Sequence, residues 1–131
     1  MKKVYPVLFT PVSEGGYAAY IPDFAANTQG DDLPQAIEMA RDAIGIMGID
    51  YEDDGKALPV PSVIEKITVK ADEILSLVDI DFDEYRRRNE LRTVKKNCTL
   101  PSWLNYEAEK AQLNFSALLQ NAIKQELQLT V

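Results

Sequence analysis

Asp79, Asp81 and Asp83 recur at every second residue. Asp31 and Asp32 stand together before an apolar run with helical spacing, and Asp23 follows a proline. Several carboxylates converging on Mg²⁺ are what a metal-dependent nuclease needs. Each of these aspartates also has a plainer use as a helix cap, a turn residue or part of a solvated strand face, and the plainer use is the stronger reading. The chain has no histidine, which removes histidine acid–base catalysis, histidine metal ligands and Ser–His or Cys–His pairs. The single cysteine, Cys98, falls on the apolar side of an alternating segment and reads as a core residue rather than a nucleophile. No catalytic residue, no metal site and no cofactor is expected. Arg86-Arg87-Arg88 could meet phosphate and Trp103 with Tyr106 could stack on bases, but a solvated hinge and helix-packing groups are the simpler readings.

Recognition is the chemistry left, and the C-terminal third has the pattern for it. Residues 92–101 read R-T-V-K-K-N-C-T-L-P. Alternation puts Thr93, Lys95, Asn97 and Thr99 on one face and Val94, Lys96, Cys98 and Leu100 on the other, as in a strand with one polar side. Pro101 stops the strand and suits the first turn of a helix. Leu104, Ala108 and Ala111 make the buried stripe of a short helix. In the break Leu113-Asn114-Phe115-Ser116, Asn114 is expected to take the left-handed conformation and Ser116 to cap a second helix. The stripe of that helix is Leu118, Leu119, Ala122, Ile123 and Leu127. Residues 92–128 are too few to bury a sufficient core alone. A lone strand also leaves its backbone groups unpaired. A two-fold homodimer is the remedy: the strand pairs with its own copy and four helices pack behind the ribbon.

Strand, Leu-Pro, helix, Asn-x-Ser, helix resembles the ribbon-helix-helix DNA-binding fold of MetJ and Arc. The resemblance implies that the paired ribbon enters the major groove. Base-reading side chains then sit two, four and six residues before the proline, at Thr99, Asn97 and Lys95. It also implies that the start of the second helix meets a phosphate through Asn114, Phe115 and Ser116. The family often has Gly where Asn114 stands, and Asn can adopt the same backbone.

The 131 residues are 46% hydrophobic and 27% charged, a globular composition for one or two small domains. No apolar run reaches membrane-spanning length, and no segment reads as a signal peptide. With one cysteine, a disulfide framework is not expected and a reducing cytoplasm is the expected compartment. Residues 1–90 hold nine Lys and Arg against 18 Asp and Glu, whereas residues 91–131 hold five against three. Such asymmetry suggests two domains with different partners: phosphate for the basic part, and a basic protein for the acidic one. Mere solubility is the alternative use of the acidic surface.

In chain order, residues 2–12 predict a strand whose two prolines favour an edge or bulged position. Ser13-Glu14-Gly15-Gly16 predicts a hairpin, residues 17–21 the return strand and residues 25–29 a third. A helix is expected over residues 33–51, capped by Asp32 with Gln35 reaching back. Its stripe is Leu33, Ala36, Ile37, Ala40, Ile44, Met47 and Tyr51, and Gly45 and Gly48 would allow close packing on the sheet. A fourth strand is expected over residues 73–82, with residues 64–69 leading into it or forming another. Residues 83–91 then make a short helix and hinge. The domains expected are 1–82, an acidic α/β sandwich; 83–91, the hinge; and 92–131, the DNA-binding and dimerisation domain. The class is α+β.

The whole order closely resembles the HicB-type antitoxins. The residues that carry it are E-G-G-Y-A-A-Y-I-P-D-F, T-Q-G-D before the helix, L-P-V-P-S, V-D-I-D-F-D-E-Y, and the tail V-K-K-N-C-T-L-P-S-W-L…L-N-F-S-A-L-L-Q-N-A-I. Many members have a Pro-Gly-Cys-like turn where this chain has Ala25-Ala26-Asn27. The resemblance implies an N-terminal domain similar to a truncated ribonuclease H fold. It implies no enzyme but an antitoxin and autorepressor. The partner toxin would be a small basic mRNA-cleaving ribonuclease of HicA type, its active site covered by the acidic domain. Tyr17, Tyr20, Asp23, Asp31 and Asp32, from the hairpin and the helix start, are the toxin contacts nominated. A ligand-sensing ribbon-helix-helix repressor without a toxin is the rival reading. Whether dimers pair into tetramers is left open.

Overall fold

The computed structural model describes residues 1–90 and 93–129, and the chain divides into two compact units, Met1–Arg92 and Thr93–Val131. The class is α+β: an antiparallel four-stranded sheet and four α-helices. Among the described residues no helix is long and apolar enough to cross a membrane.

The first unit contains β1 (Lys2–Pro11), β2 (Tyr17–Ile21), β3 (Ala26–Gly30), α1 (Leu33–Asp53), β4 (Ile74–Asp81) and α2 (Phe82–Asn89), with sheet order β3-β2-β1-β4. Alternate strand residues face one way. Tyr5, Val7, Phe9, Ala19, Ile21, Val78 and Ile80 thereby form a buried face that meets Ala36, Ala40 and Ile44 of α1. Full burial of side chains of this size contributes about 1.5–3 kcal/mol each. Phe24 closes one end, edge-on to Tyr5 with ring centroids 5.0 Å apart.

β1 corrects the edge-strand expectation, because it lies inside the sheet. Its two prolines still sit where no ladder donor is required. β2 pairs with β1 only from Leu8 to Pro11, and β4 only from Lys2 to Phe9. Pro6 directs its nitrogen to the β2 side, before that ladder begins, and Pro11 directs its own to the β4 side, after that ladder ends. The interior strand is locally an edge at both points.

The hairpin forms as expected, with Gly15 and Gly16 at φ of 102° and 84°. A 3₁₀ turn at Pro22–Phe24 then shifts β3 one residue later than predicted, through Ala25 at φ 49°. Residues 64–69 form no strand; a 3₁₀ turn at Ile64–Lys66 takes part of that segment. The Asp32 carboxylate accepts from Gln35 N at 2.8 Å, whereas the Gln35 side chain reaches back to the amide of Asp31 rather than Asp32. α1 runs past Tyr51 to Asp53 and ends at Gly55, φ 71°, where Gly55 N and Lys56 N bond to Glu52 O and Tyr51 O. These are the paired bonds of a left-handed helix stop.

Gly45 and Gly48 do permit close packing, but the neighbour is α2 rather than the sheet. A Cβ at Gly45 would stand 2.6 Å from the Tyr85 ring, and one at Gly48 would run into the ring of Phe82, which is buried. α2 is therefore built into the first unit. Ala is the better helix former by about 1 kcal/mol, yet overpacking costs about 1–3 kcal/mol. Gly48→Ala is expected to lower stability by about 1–2 kcal/mol in thermal or urea unfolding. A variant more stable than wild type would contradict the packing.

The second unit contains α3 (Ser102–Lys110) and α4 (Phe115–Glu126). Residues 93–100 have no assigned secondary structure, so the strand expected there is not formed by the single chain. A strand is a paired object, and one copy supplies no partner. The break between the helices also differs from expectation. Gln112, not Asn114, takes the left-handed conformation, at φ 55°, and Gln112 N and Leu113 N bond to Glu109 O and Ala108 O. Asn114, not Ser116, is the N-cap, accepting from Ala117 N at 3.0 Å. The amide oxygen reaches the amide three residues on, which frees Ser116 from that task.

Candidate nucleic-acid and protein interfaces

In the second unit, a groove of about 390 Å³ is lined by Lys96, Cys98 and Leu100 on one side and Asn105, Phe115, Ser116 and Leu119 on the other. The even-numbered residues of the leading segment thus turn toward the helices. Lys95, Asn97 and Thr99 alternate with them, and all are exposed. Asn114, Phe115 and Ser116 stand at the N-terminal turn of α4, where the first helical amides have no acceptor within the helix and the dipole favours an anion.

The apolar stripes expected in α3 and α4 are present as faces, but they are not covered. Leu104, Leu118, Leu119, Ile123 and Leu127 are all exposed, Ile123 at 48% and Leu127 at 62%. Ala108 alone among the described residues of this unit is buried. Trp103 and Tyr106 lie exposed rather than packed, with Lys110 Nζ 5.9 Å from the centre of the Tyr106 ring. Cys98, expected in a core, is also exposed.

The five nominated residues of the first unit do not form one surface. Tyr17 and Asp31 come together, lining a groove of about 400 Å³ with Glu14, Gly15 and Gln35. Tyr20, three residues along the same strand, must point to the opposite sheet face. It stands beside Leu8 and Asn27. Asp23 is tied to the connector: its carboxylate accepts from Ser62 Oγ at 2.5 Å and Ser62 N at 3.1 Å. Asp32 is the α1 cap.

The remaining carboxylates are also in structural use. Asp79 pairs with Arg41 at 3.1 Å. Asp81 caps α2 by accepting from the amides of Glu84 and Asp83, and the Glu84 amide chiefly holds its pKa below the ordinary value. The amino terminus pairs with Asp81 and Asp83. Among the described residues no three His, Cys, Asp or Glu side chains cluster as metal ligands. Arg86 bonds to Glu90 and to Asp53 of α1, and Arg88 to Glu84 within α2, so one of the three arginines ties α2 to α1 and a second pairs along its own helix. Burial, then the 2.7 Å hydrogen bond to Asp42, pushes the Tyr85 phenol well above its usual pKa.

The sequence reading did not single out the sheet face opposite α1. There Leu77 lies beside Pro6, and Leu8 lies between Leu75 and Tyr20. Leu77 is 50% exposed and Val4 is 43% exposed. The signal was present in I-L-S-L-V, which is apolar on both alternating faces.

Residues 5–122 match the family model described as HicB-like antitoxin of bacterial toxin-antitoxin system. Antitoxin HicB 1 of Photorhabdus laumondii is 43% identical over 61 residues, 46% of this chain and 39% of that protein. Antitoxin HicB of Escherichia coli K12 is 41% identical over 59 residues, 44% of this chain and 43% of that protein. The matched stretch therefore spans about two fifths of these curated relatives. Among solved structures, a toxin-antitoxin complex from Streptococcus pneumoniae contains a chain with TM-score 0.62 and 27% identity, covering 96% of this chain and 99% of that one. The antitoxin HicB of Burkholderia pseudomallei has the same fold, with TM-score 0.57 and 18% identity over 95% of this chain and 98% of that one.

Proposed function

The chain belongs to the HicB-like antitoxins of bacterial toxin-antitoxin systems, and from that premise we propose a division of labour between its two units. The first, a truncated ribonuclease-H-like sheet and helix, binds a small basic HicA-like ribonuclease and covers its active site. The second dimerises as a ribbon-helix-helix and represses the gene's own promoter. Neither unit is catalytic, and a reducing cytoplasm is the compartment.

The observation that carries the second half is the bare apolar face of α4. A monomeric unit would leave Leu118, Leu119 and Ile123 in water. A second copy supplies both the missing core and the missing strand partner for residues 93–100. The even-numbered side of that segment already turns toward the helices, which supports Lys95, Asn97 and Thr99 as the side that reads base edges. Asn114, Phe115 and Ser116 then anchor a phosphate at the start of α4. For the first half, the excess of acidic residues in positions 1–90 suits a basic partner, mostly through on-rate and specificity. The solved toxin-antitoxin complex that this chain resembles over nearly its whole length supports such a partner.

Two substitutions test the DNA reading by mobility shift on the gene's upstream DNA. Asn97→Ala is expected to relax the preference at one base pair, losing about 1–3 kcal/mol there. Ser116→Ala is expected to weaken binding to all sequences alike. If neither changes binding, the faces are assigned wrongly. Neutralisation is tested by co-expression with a small basic HicA-like ribonuclease. Continued toxicity would refute the antitoxin activity.

A further inference from the structure

β4 is an edge of the sheet, and two hydrogen bonds fix which way its backbone groups point. Arg41 Nε donates to Asp79 O at 2.8 Å from outside the sheet, and Phe82 N, one residue past the strand, donates to Met1 O at 3.0 Å on the β1 side. In an antiparallel strand the N–H and C=O of one residue point the same way, and neighbours alternate. Ile74, Ser76, Val78 and Ile80 therefore bond to β1, while Leu75, Leu77 and Asp79 present their backbone groups outward. Arg41 occupies the Asp79 carbonyl. Among the described residues no hydrogen bond outside the sheet occupies those of Leu75 or Leu77.

Edges of this kind are ordinarily blunted by charge, proline, bulges or shortness. β3, at the other edge, is short and polar, A-N-T-Q-G. β4 has eight residues, and its first five, I-L-S-L-V, contain no charge, proline or glycine. The side chains beside the outward backbone groups read Glu73, Leu75, Leu77, Asp79 and Asp81: two leucines framed by acids. A second copy fits this edge poorly. Two-fold antiparallel pairing centred on Leu77 sets Glu73 opposite Asp81, centring on Ser76 or Val78 runs into the Asp79 backbone group that Arg41 occupies, and centring on Leu75 pairs only Ile74–Ser76 of each strand. Like charges directly opposite destabilise a strand pair. A strand with apolar residues and a Lys or Arg opposite Glu73 matches the row.

We propose that β4 is the toxin-docking element, receiving one strand of the basic toxin at its Leu75–Leu77 edge by β-augmentation, with Glu73 beside that edge and the acidic excess of residues 1–90 favouring a cation-flanked strand. This rests on the antitoxin reading above and moves the contact from the hairpin to the opposite edge of the sheet.

The test is residue-resolved amide exchange on the full chain, alone and with a catalytically inactive HicA-like toxin. On binding, the Leu75 and Leu77 amides should slow by at least about tenfold, while Ser76 and Val78, already bonded to β1, should change little. Leu77→Pro removes one outward donor and leaves the β1 ladder intact, and toxin affinity should fall by at least about tenfold. Leu77→Lys, which repels a basic strand while retaining the backbone, should do the same and covers the case in which the proline variant misfolds. Toxin binding without protection at Leu75 and Leu77 overturns the β4 site and leaves the antitoxin reading standing. No toxin binding by the wild type overturns both. Protection of these two amides without toxin, growing with protein concentration, would show that a second copy takes the edge and would also overturn the proposal.

Discussion

Ile123→Asp is expected to dissociate the second unit and abolish operator binding while leaving the first unit folded. Ile123 lies in the α4 face with Leu119 and Leu127, and each of these is exposed in the single chain. Covering such a side chain contributes about 1.5–3 kcal/mol, and a two-fold interface removes it twice. Burying two carboxylates in place of two isoleucines adds a further penalty. Dimer dissociation should therefore rise by at least about three orders of magnitude, because each 1.4 kcal/mol is a factor of ten. Sedimentation should show a monomer, and helical signal from residues 102–126 should fall. The core around Tyr5, Phe9 and Ile44 shares no residue with this face, so the unfolding transition of the first unit should persist. A wild-type segment 93–131 that stays folded and monomeric at micromolar concentration would refute the dimer.

Residues 1–90 alone are expected to neutralise the toxin fully and to lose all operator binding. The boundary follows from packing. Phe82 is 1% exposed and sits against Gly48, and the Tyr85 hydroxyl donates to Asp42 at 2.7 Å. A chain ending at residue 82, where the sequence suggested a domain boundary, would strip α2 from α1 and bare part of the core. With α2 retained, Phe82 and Tyr85 keep their places against Gly48 and Gly45 of α1. The lost part contains Lys95, Asn97, Thr99 and the start of α4, so mobility shift should detect no complex. A toxicity-rescue assay beside that shift decides the matter. If residues 1–90 fold and fail to rescue while the tail succeeds, the division of labour is reversed.

Much of the local structure was legible because the interactions that make it are local. The Gly15-Gly16 hairpin, the start of α1 at Asp32 and both tail helices follow from turn chemistry, capping and periodicity within a few residues. Where two local solutions competed, sequence chose less well. Gln112 took the left-handed conformation expected of Asn114, and Asn114 took the cap expected of Ser116, because an Asx cap and a left-handed stop lie within a few residues of one another and differ little in energy.

The sequence alone determined the family resemblance, the acidic-then-basic division and the apolar stripes, all carried by residue type and spacing. The tertiary structure decided which strand lies inside the sheet, that Gly45 and Gly48 receive α2, and that Leu75 and Leu77 lie on an open edge. Those are relations between residues tens of positions apart. They depend on which hydrogen-bonding side of each strand finds a neighbour, and a period-two pattern reads the same for an edge strand as for an interior one.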